Sequence, residues 1–515
     1  MIVVFHKNNS VVKITNCKGQ PIVNTFGNTI QDVLYGLSTN NPSIFIGWCH
    51  IDLEYLIALD NWNKIFKHRL IMASYHTSDK YFIDCRIGYV EDTPFINVTK
   101  KHPYPTWLMS SHVGGVHASI LLAFEKLKAA NISFDFFINT IAKKGITKGL
   151  ICYSHPQLLK NTSPKSVTEN SKISTRDLLW FIKSNYKFRW VLLFVLNNFI
   201  YQDKLYFAQF LSIVFKKMIH FDFLLDEIPL STNTSKKSID VIIPTLGRKK
   251  YLYDFMTDLA NQTLMPTKVI IVEQHPIEGE YSKLDYIKNK WPFEIDHTLT
   301  HQLGACNARN IALSKVTSNW VFFADDDIRI EPSFLEKTFN YIHTYKADAV
   351  SVSCLQKGEV ERNKYVFQST TFGSGTSVVK SSSLKGCYFD MAYEFGYGED
   401  ADFGMQLRNK GVDILQIPQV SMLHLKAPSG GFRIKHKNEW DKENPKLKPS
   451  PTVMVYKLRH ATKEQLKSYK TTLFIKYYKN QTIVNPFSYI RFMKKSWLKS
   501  IFWATKLINR NEHEV

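Results

Sequence analysis

Trp320-Val321-Phe322-Phe323-Ala324-Asp325-Asp326-Asp327 is the stretch on which the fold turns. Apolar residues followed at once by three carboxylates read as a buried strand that delivers acidic side chains to its carboxyl end. On an extended backbone Asp325 and Asp327 point roughly the same way. Like charges in a row repel one another and lose hydration, so a compensating cation is expected among them. A hard divalent ion takes oxygen ligands, and an ion shared with a diphosphate needs only one or two protein carboxylates. Taken alone, the triplet reads equally well as a polar turn in which Asp327 caps a helix, because Glu331-Pro332-Ser333 looks like a helix start.

Working outward, the neighbouring sequence favours the first reading. Upstream, Asp240–Pro244 is a buried strand ended by its proline, and a helix is predicted over Lys250–Gln262. A second strand follows over Lys268–Glu273, and a helix begins near Ala305–Asn307. Such alternation with short connections predicts a parallel sheet with helices on both faces. Ligands of such sheets bind at the carboxyl ends of the strands, where Pro244-Thr245, Glu273-Gln274 and Asp325–Asp327 all fall. Downstream, Phe395-Gly396-Tyr397-Gly398-Glu399-Asp400-Ala401-Asp402 places glycines on both sides of a tyrosine, followed by acids that open a helix predicted over Asp402–Asn409. A carboxylate there is of the type that deprotonates a sugar hydroxyl, although acidic helix starts are also common on plain surfaces. His424 stands among apolar residues. A lone histidine in that setting is more often a satisfied core or surface residue, but an ion held by few carboxylates has room for an imidazole. Pro428-Ser429-Gly430-Gly431 behind it reads as a loop able to cover a ligand.

The order Ser238-Ile239-Asp240-Val241-Ile242-Ile243-Pro244-Thr245, Gly304-Ala305-Cys306-Asn307-Ala308-Arg309-Asn310, Asp325-Asp326-Asp327 and Gly398-Glu399-Asp400 resembles the family 2 glycosyltransferases, which have the GT-A fold. The resemblance covers roughly residues 238–432. The segment Gly396–Asp402 is also similar to the Gly-Trp-Gly-Gly-Glu-Asp stretch of galactosyl- and N-acetylgalactosaminyltransferases, with Tyr397 in the place of tryptophan. The resemblance implies that Pro244, Thr245 and Arg248 line a nucleotide pocket, with Glu273 at the uracil or ribose. Arg309, Asp325 and Asp326 would lie along the nucleotide-sugar, and Asp327 and His424 would hold a divalent metal, manganese or magnesium. Asp400 would be the catalytic base, with Glu399 binding acceptor or donor hydroxyls. The family often has Asp-Asp where Glu273-Gln274 stands here. The implied reaction is an inverting transfer of a hexose or N-acetylhexosamine, from a donor expected to be UDP-linked, to a glycan or lipid-linked acceptor of surface polysaccharide synthesis. The Gln-x-x-Arg-Trp motif of processive synthases is absent; Phe188-Arg189-Trp190 precedes the domain and lacks the glutamine.

The 515-residue chain has room for two or three domains, and 44% hydrophobic with 22% charged residues is globular composition. The expected division is an N-terminal α/β domain over 1–160, with room for a degenerate transferase-like fold, then a helical segment and linker over 161–237. The GT-A domain over 238–432 and a basic helical extension over 433–515 complete it. No internal repeat is visible. A net charge of +21 favours a polyanionic partner. Nucleic acid is not expected, because acidic strand ends would repel phosphate without a metal. Seven dispersed cysteines without a Cys-x-x-Cys pair argue against a disulfide framework or structural zinc. No apolar run is long enough to span a bilayer and Met1–Lys7 reads as a strand, so a cytoplasmic location is expected. Tyr489, Phe492, Met493, Trp497 and Ile501 recur at helical spacing among Arg491, Lys494, Lys495 and Lys499. That pattern suits peripheral attachment to an anionic membrane, and equally a helix docked on the protein's own core. The rival to an enzyme is a basic protein that binds nucleotide-sugar or an anionic surface without transferring anything.

Overall fold

The structure is a computed structural model that describes residues 1–160, 172–232, 237–428 and 436–512. The expected Ser429-Gly430-Gly431 loop, residues 161–171 of the polar stretch and 233–236 of the expected linker lie outside these residues. The chain forms two compact units, Met1–Ile228 with Ala461–Leu473, and Pro229–His460 with Phe474–Val515. The helices of the 161–237 segment thus fall within the first unit, and the C-terminal extension is shared between the two.

The first unit contains strands β1 (Ile2–Lys7), β2 (Ser10–Asn16) and β3 (Pro21–Ile22), then helix α1 (Ile30–Asn40) and β4 (Phe45–His50). Helix α2 (Leu59–Ile65), β5 (Ile71–Tyr75), β6 (Tyr104–Pro105), β7 (Val113–His117), α3 (Ala118–Ala123), α4 (Phe134–Gly145) and β8 (Ile151–Ser154) follow. Helices α5 (Thr175–Asn185), α6 (Arg189–Gln202) and α7 (Phe207–Val214) complete its N-terminal portion. The sheet order is β3-β2-β1-β4-β7-β5-β8-β6. Alternation along β1 sends Ile2 and Val4 to one core and Val3 and Phe5 to another, so the sheet is buried on both faces. The helical run over Ala118–Ala130 breaks at Phe124, whose buried ring packs on Phe221 and Phe223, and Glu125–Ala130 winds as a 3-10 helix.

The second unit opens with β9 (Ile239–Thr245), α8 (Lys249–Ala260), β10 (Lys268–Gln274), β11 (Glu294–Thr300), α9 (Ala305–Leu313) and β12 (Trp320–Ala324), close to the boundaries the sequence predicts. Then come β13 (Ile328–Arg329), α10 (Phe334–Tyr345), β14 (Ala349–Leu355), β15 (Phe367–Gln368), β16 (Thr376–Lys380), α11 (Glu399–Asn409) and β17 (Leu415–His424). Its order is β11-β10-β9-β12-β16-β14-β17-β13, with β15 also on β17. Within the Rossmann-like, mostly parallel sheet that the GT-A resemblance implies, β16 runs antiparallel to both β12 and β14. No helix lies between β14 and β16, and a parallel neighbour would need a crossover of a dozen or more residues. Helix α11 starts three residues earlier than expected, so Glu399 and Asp400 lie within its first turn.

Helices α12 (Pro451–His460), α13 (Lys463–Tyr478) and α14 (Pro486–Glu512) follow. The apolar stripe of α14 docks on the protein's own core: Tyr489, Met493 and Trp497 are buried, and the Tyr489 hydroxyl donates to the Phe474 carbonyl at 2.5 Å. Ser496 and Ser500 on the same face donate to the carbonyls of Lys446 and Pro449, each at 2.8 Å. Among the described residues no helix is long and apolar enough to cross a membrane.

Candidate active site

Three parallel strands aim their carboxyl ends at one cleft of about 700 Å³ in the second unit. Thr245 ends β9, Gln274 ends β10, and Asp325–Asp327 follow β12. The sequence places the three aspartates in series, and the fold gives each a different partner. Asp325 lines the cleft with its side chain 40% exposed and meets Arg309 Nη2 at 3.2 Å. Asp326 is buried, accepting from Thr245 Oγ1 and Arg248 Nη1, both at 2.7 Å. Burial pushes its carboxyl up to about 6 even against the Arg248 guanidinium. Asp327 accepts from the Ala427 amide at 2.9 Å and lies 3.2 Å from Arg248 Nη1. Its Oδ1 stands 3.5 Å from His424 Nε2.

That last pair is the test of a metal. Two ligands on one ion at about 2.0–2.2 Å from it come to lie roughly 3 Å apart, so Asp327 and His424 fit as two donors from protein. Among the described residues no cluster of three or more acidic, histidine or cysteine groups is placed to hold an ion. Protein ligands here are therefore too few to form a closed cage. They suit an ion completed by a ligand's own oxygens.

Arg309 links this cluster to α11. Burial works against its charge, but Asp325, Asp400 and Glu399 around it hold the guanidinium protonated. Asp400 is pushed up by burial, against the pull of Arg309 and of hydrogen bonds from Ser374, and its Oδ1 is enclosed without a hydrogen-bond partner among the described residues. Glu399 is raised to about 7, first by burial and then by Asp400 beside it. Burial thus raises two adjacent carboxyls, one of which keeps an oxygen without a hydrogen-bond partner among the described residues. Asp402, third of the acids, is turned away and held by His460 Nε2 at 2.7 Å and the Tyr393 hydroxyl at 3.1 Å. It ties α11 to α12. Tyr397 between its glycines is 74% exposed, and Gly398 adopts φ 120°, a conformation open to glycine.

Pro244, Thr245, Arg248, Arg309, Asp325, Asp326, Asp327 and His424 all line the cleft. Glu273 does not. It turns to His297 Nε2 on β11 at 2.9 Å, while Gln274, its neighbour on the opposite side of the strand, enters the cleft wall. Glu394 is a wall residue that no motif announces: it accepts from the Cys306 and Asn307 amides at 3.2 and 2.8 Å, capping α9. Its signal lies only in space, because its partners are more than eighty residues away in sequence. Phe395 and His436 stack ring on ring at 3.9 Å on the same wall.

Residues 240–395 match the sequence model of the family described as Glycosyl transferase family 2. The poly(ribitol-phosphate) beta-N-acetylglucosaminyltransferase TarS of Staphylococcus aureus is 25% identical over 114 residues, 22% of this chain and 20% of that protein. Glycosyltransferase GlyA of Streptococcus pneumoniae serotype 4 is 26% identical over 116 residues, 21% of this chain and 16% of that one. The chain thus spans about a fifth of the length of the curated relatives it matches. Among solved structures, S. aureus TarS 1–349 with UDP-GlcNAc aligns at TM-score 0.37 and 16% identity, covering 51% of this chain and 79% of that one. GalNAc-T7 with UDP, GalNAc and Mn2+ aligns at TM-score 0.37 and 11% identity, covering 47% and 51%. Likenesses of that size fix no residue's role.

Proposed function

We propose, on the premise that residues 240–395 make the second unit a family 2 glycosyltransferase, that it transfers an N-acetylhexosamine or hexose from a UDP-linked donor to a glycan or lipid-linked hydroxyl, with inversion. The observation that carries this reading is the enclosed, unpartnered Asp400 Oδ1 sharing Arg309 with Asp325. The curated relative's name supports N-acetylglucosamine as the first donor sugar to test and a poly(ribitol-phosphate) as the first acceptor.

Asp400 takes the proton from the acceptor hydroxyl as that oxygen attacks the anomeric carbon opposite the leaving diphosphate. Glu399 hydrogen-bonds sugar hydroxyls, and Tyr397 offers its ring to the acceptor. Arg309 draws Asp400 toward its anionic form against the effect of burial and aligns Asp325 on the donor. Asp326 holds Arg248 toward the diphosphate. A divalent metal held by Asp327 and His424 neutralises charge on the leaving phosphates when bound, manganese being the first to test. The amides at the start of α9 are already taken by Glu394, so side-chain cations and the ion carry the diphosphate rather than a helix N-terminus. A single displacement with no covalent intermediate inverts the anomeric centre.

Catalysis is proposed on the cytoplasmic face of a membrane, with helices α6 and α7 rather than α14 as the contact. Leu192, Leu196, Phe199, Phe207 and Leu211 are exposed on them, and exposed Lys187, Arg189, Lys204 and Lys217 stand at their ends. An exposed apolar face between cations suits an anionic bilayer surface.

The test is donor hydrolysis and transfer across a panel of UDP-, GDP- and dTDP-sugars with manganese. UDP-N-acetylglucosamine or another UDP-hexosamine is expected to turn over. Turnover of none of the panel, with or without candidate acceptors, would sink the reading.

A further inference from the structure

The two sheets are the same sheet. In chain order, β1, β2, β3, β4, β5, β6, β7 and β8 occupy the places of β9, β10, β11, β12, β14, β15, β16 and β17. Apart from β2 and β3, which pair antiparallel where β10 and β11 pair parallel, the pairings agree. β1 is parallel to β4 as β9 is to β12, and β4 is antiparallel to β7 as β12 is to β16. β7 is antiparallel to β5 as β16 is to β14, and β5 is parallel to β8 as β14 is to β17. Even the short strands correspond, β6 on β8 and β15 on β17, both antiparallel.

Register then assigns residues. Cys49 pairs with Val113 where Ala324 pairs with Thr376, so His50-Ile51-Asp52 stand where Asp325-Asp326-Asp327 stand. By the same register Ser111 takes the place of Ser374, each two residues before its strand. Asp135 is the second residue of α4, the helix that precedes β8, as Asp400 is the second residue of α11, the helix that precedes β17. The polar contact is also kept: the Ser111 amide donates to Asp135 Oδ1 at 3.2 Å, and Ser374 hydrogen-bonds Asp400.

The connections from β1 to β2 and from β2 to β3 differ from their counterparts. Where α8 carries β9 into a parallel β10, Asn8 and Asn9, at φ 50° and 64°, turn β1 straight back into an antiparallel β2. Positive φ at both central residues is the hairpin turn that asparagine tolerates. The segment corresponding to Arg248 and α8 is gone, and β2 ends at the opposite edge. The half of the site that cups a nucleotide has no counterpart. The half that faces an acceptor has one: a cavity of about 670 Å³, lined by His6, His76, Tyr81, Ser111, His112 and Asp135, with Asp79, Lys80, Asp84 and Lys172 also on its wall.

We propose that the first unit is a transferase-like domain that has lost its donor half and binds an uncharged, hydroxyl-rich saccharide in this cavity, with Asp135 accepting a sugar hydroxyl. The assignment of Asp135 rests on the reading of Asp400 given above. The cavity's chemistry fits hydroxyls. Burial holds His6 and His76 down at about 4 and His112 at about 2, so their rings are neutral, each with one donor and one acceptor nitrogen. His6 Nδ1 is buried without a hydrogen-bond partner among the described residues. A shared metal is disfavoured, because His76 and His112 stack with centroids 4.1 Å apart and planes tilted 30° rather than converging their nitrogens.

Hydrogen–deuterium exchange on the full chain tests this, with N-acetyllactosamine and chitobiose as saccharide probes and UDP with Mn2+ as the contrast. A saccharide is expected to protect residues 76–84 and 108–112, while UDP leaves them unchanged and protects 244–248. Asp135→Asn, which keeps the oxygen that Ser111 uses, is expected to weaken saccharide protection roughly tenfold in apparent affinity. Tyr81→Phe serves as the second variant if that chain misfolds. Absence of protection by either saccharide, or protection of 76–84 by UDP, overturns the proposal. Failure of UDP to protect 244–248 instead counts against the transferase reading of the second unit and leaves this cavity's result standing.

Discussion

At the rim of one sheet stand three aspartates and two arginines; at the rim of its topological twin stand histidines. The strands share one order and pair alike except at β2 and β3, so the contrast isolates what the rim residues and that edge of the sheet contribute. In the second unit a crossover helix supplies Arg248, and the carboxylates of Asp325 to Asp327 are each assigned a cation or amide. In the first, a two-residue turn replaces that crossover, and His6, His76 and His112 stand in the cavity wall. On the functions proposed above, strand order alone does not specify a nucleotide site, and the first connection separates the two units.

The largest test of the comparison is the same substitution made in both units. Asp400→Asn is expected to lower kcat by about 10³-fold, within the range for removing a general base, while UDP binding is retained. Asp135→Asn is expected to act mainly on acceptor KM. Equal losses of kcat at the two positions would mean the units are not divided as described. Next in size is the ion. With Mn2+ present, UDP at a hundredfold excess over its Kd should stabilise the chain by about 2.7 kcal/mol in a thermal shift. Asp327→Ala should abolish the part that depends on Mn2+, and metal-independent stabilisation would remove Asp327 and His424 from that role.

The third expectation concerns pH. Asp400 must be ionised to accept a proton, yet burial raises it and Glu399, at about 7, sits beside it. Transfer should therefore rise with pH along a limb above the usual carboxylate range, as Asp400 gives up its proton. Glu399→Gln removes a neighbouring negative charge and should move that limb to lower pH; an unmoved limb would uncouple the two. The smallest effect is expected at the surface. Leu196→Glu with Phe199→Glu on α6 should reduce flotation with phosphatidylglycerol vesicles more than Leu498→Glu on α14 does. The reverse order would return the contact to the C-terminal helix.

The catalytic sheet was largely legible from sequence because its strands are short, apolar and ended by chemically distinctive residues. Trp320–Ala324 is bounded in the structure where its run of apolar residues stops. The antiparallel β16 was not legible, because strand direction follows from what connects the strands rather than from their composition. Glu273 and Gln274 differ by one position, and a period of two sends adjacent residues to opposite faces, so only the fold settles which one enters the cleft. The repeat was hidden for a related reason. Its evidence is a pattern of pairings, and the rim residues that would have signalled it have been replaced. The tail's apolar stripe was read correctly as a helix, but periodicity cannot tell a lipid from a neighbouring helix.

The Asn8-Asn9 turn also fixes what evolution or an engineer could do with the first unit. Restoring aspartates at His50 and Ile51 would rebuild the charges but leave β2 running the wrong way, with its end on the far edge. Donor use could return only by inserting a whole helix and reversing a strand, a change that no accumulation of point mutations supplies. Loss of the donor half is in that sense a one-way door, and drift within the cavity is free to explore new sugars without risk of reviving a second, uncontrolled transferase.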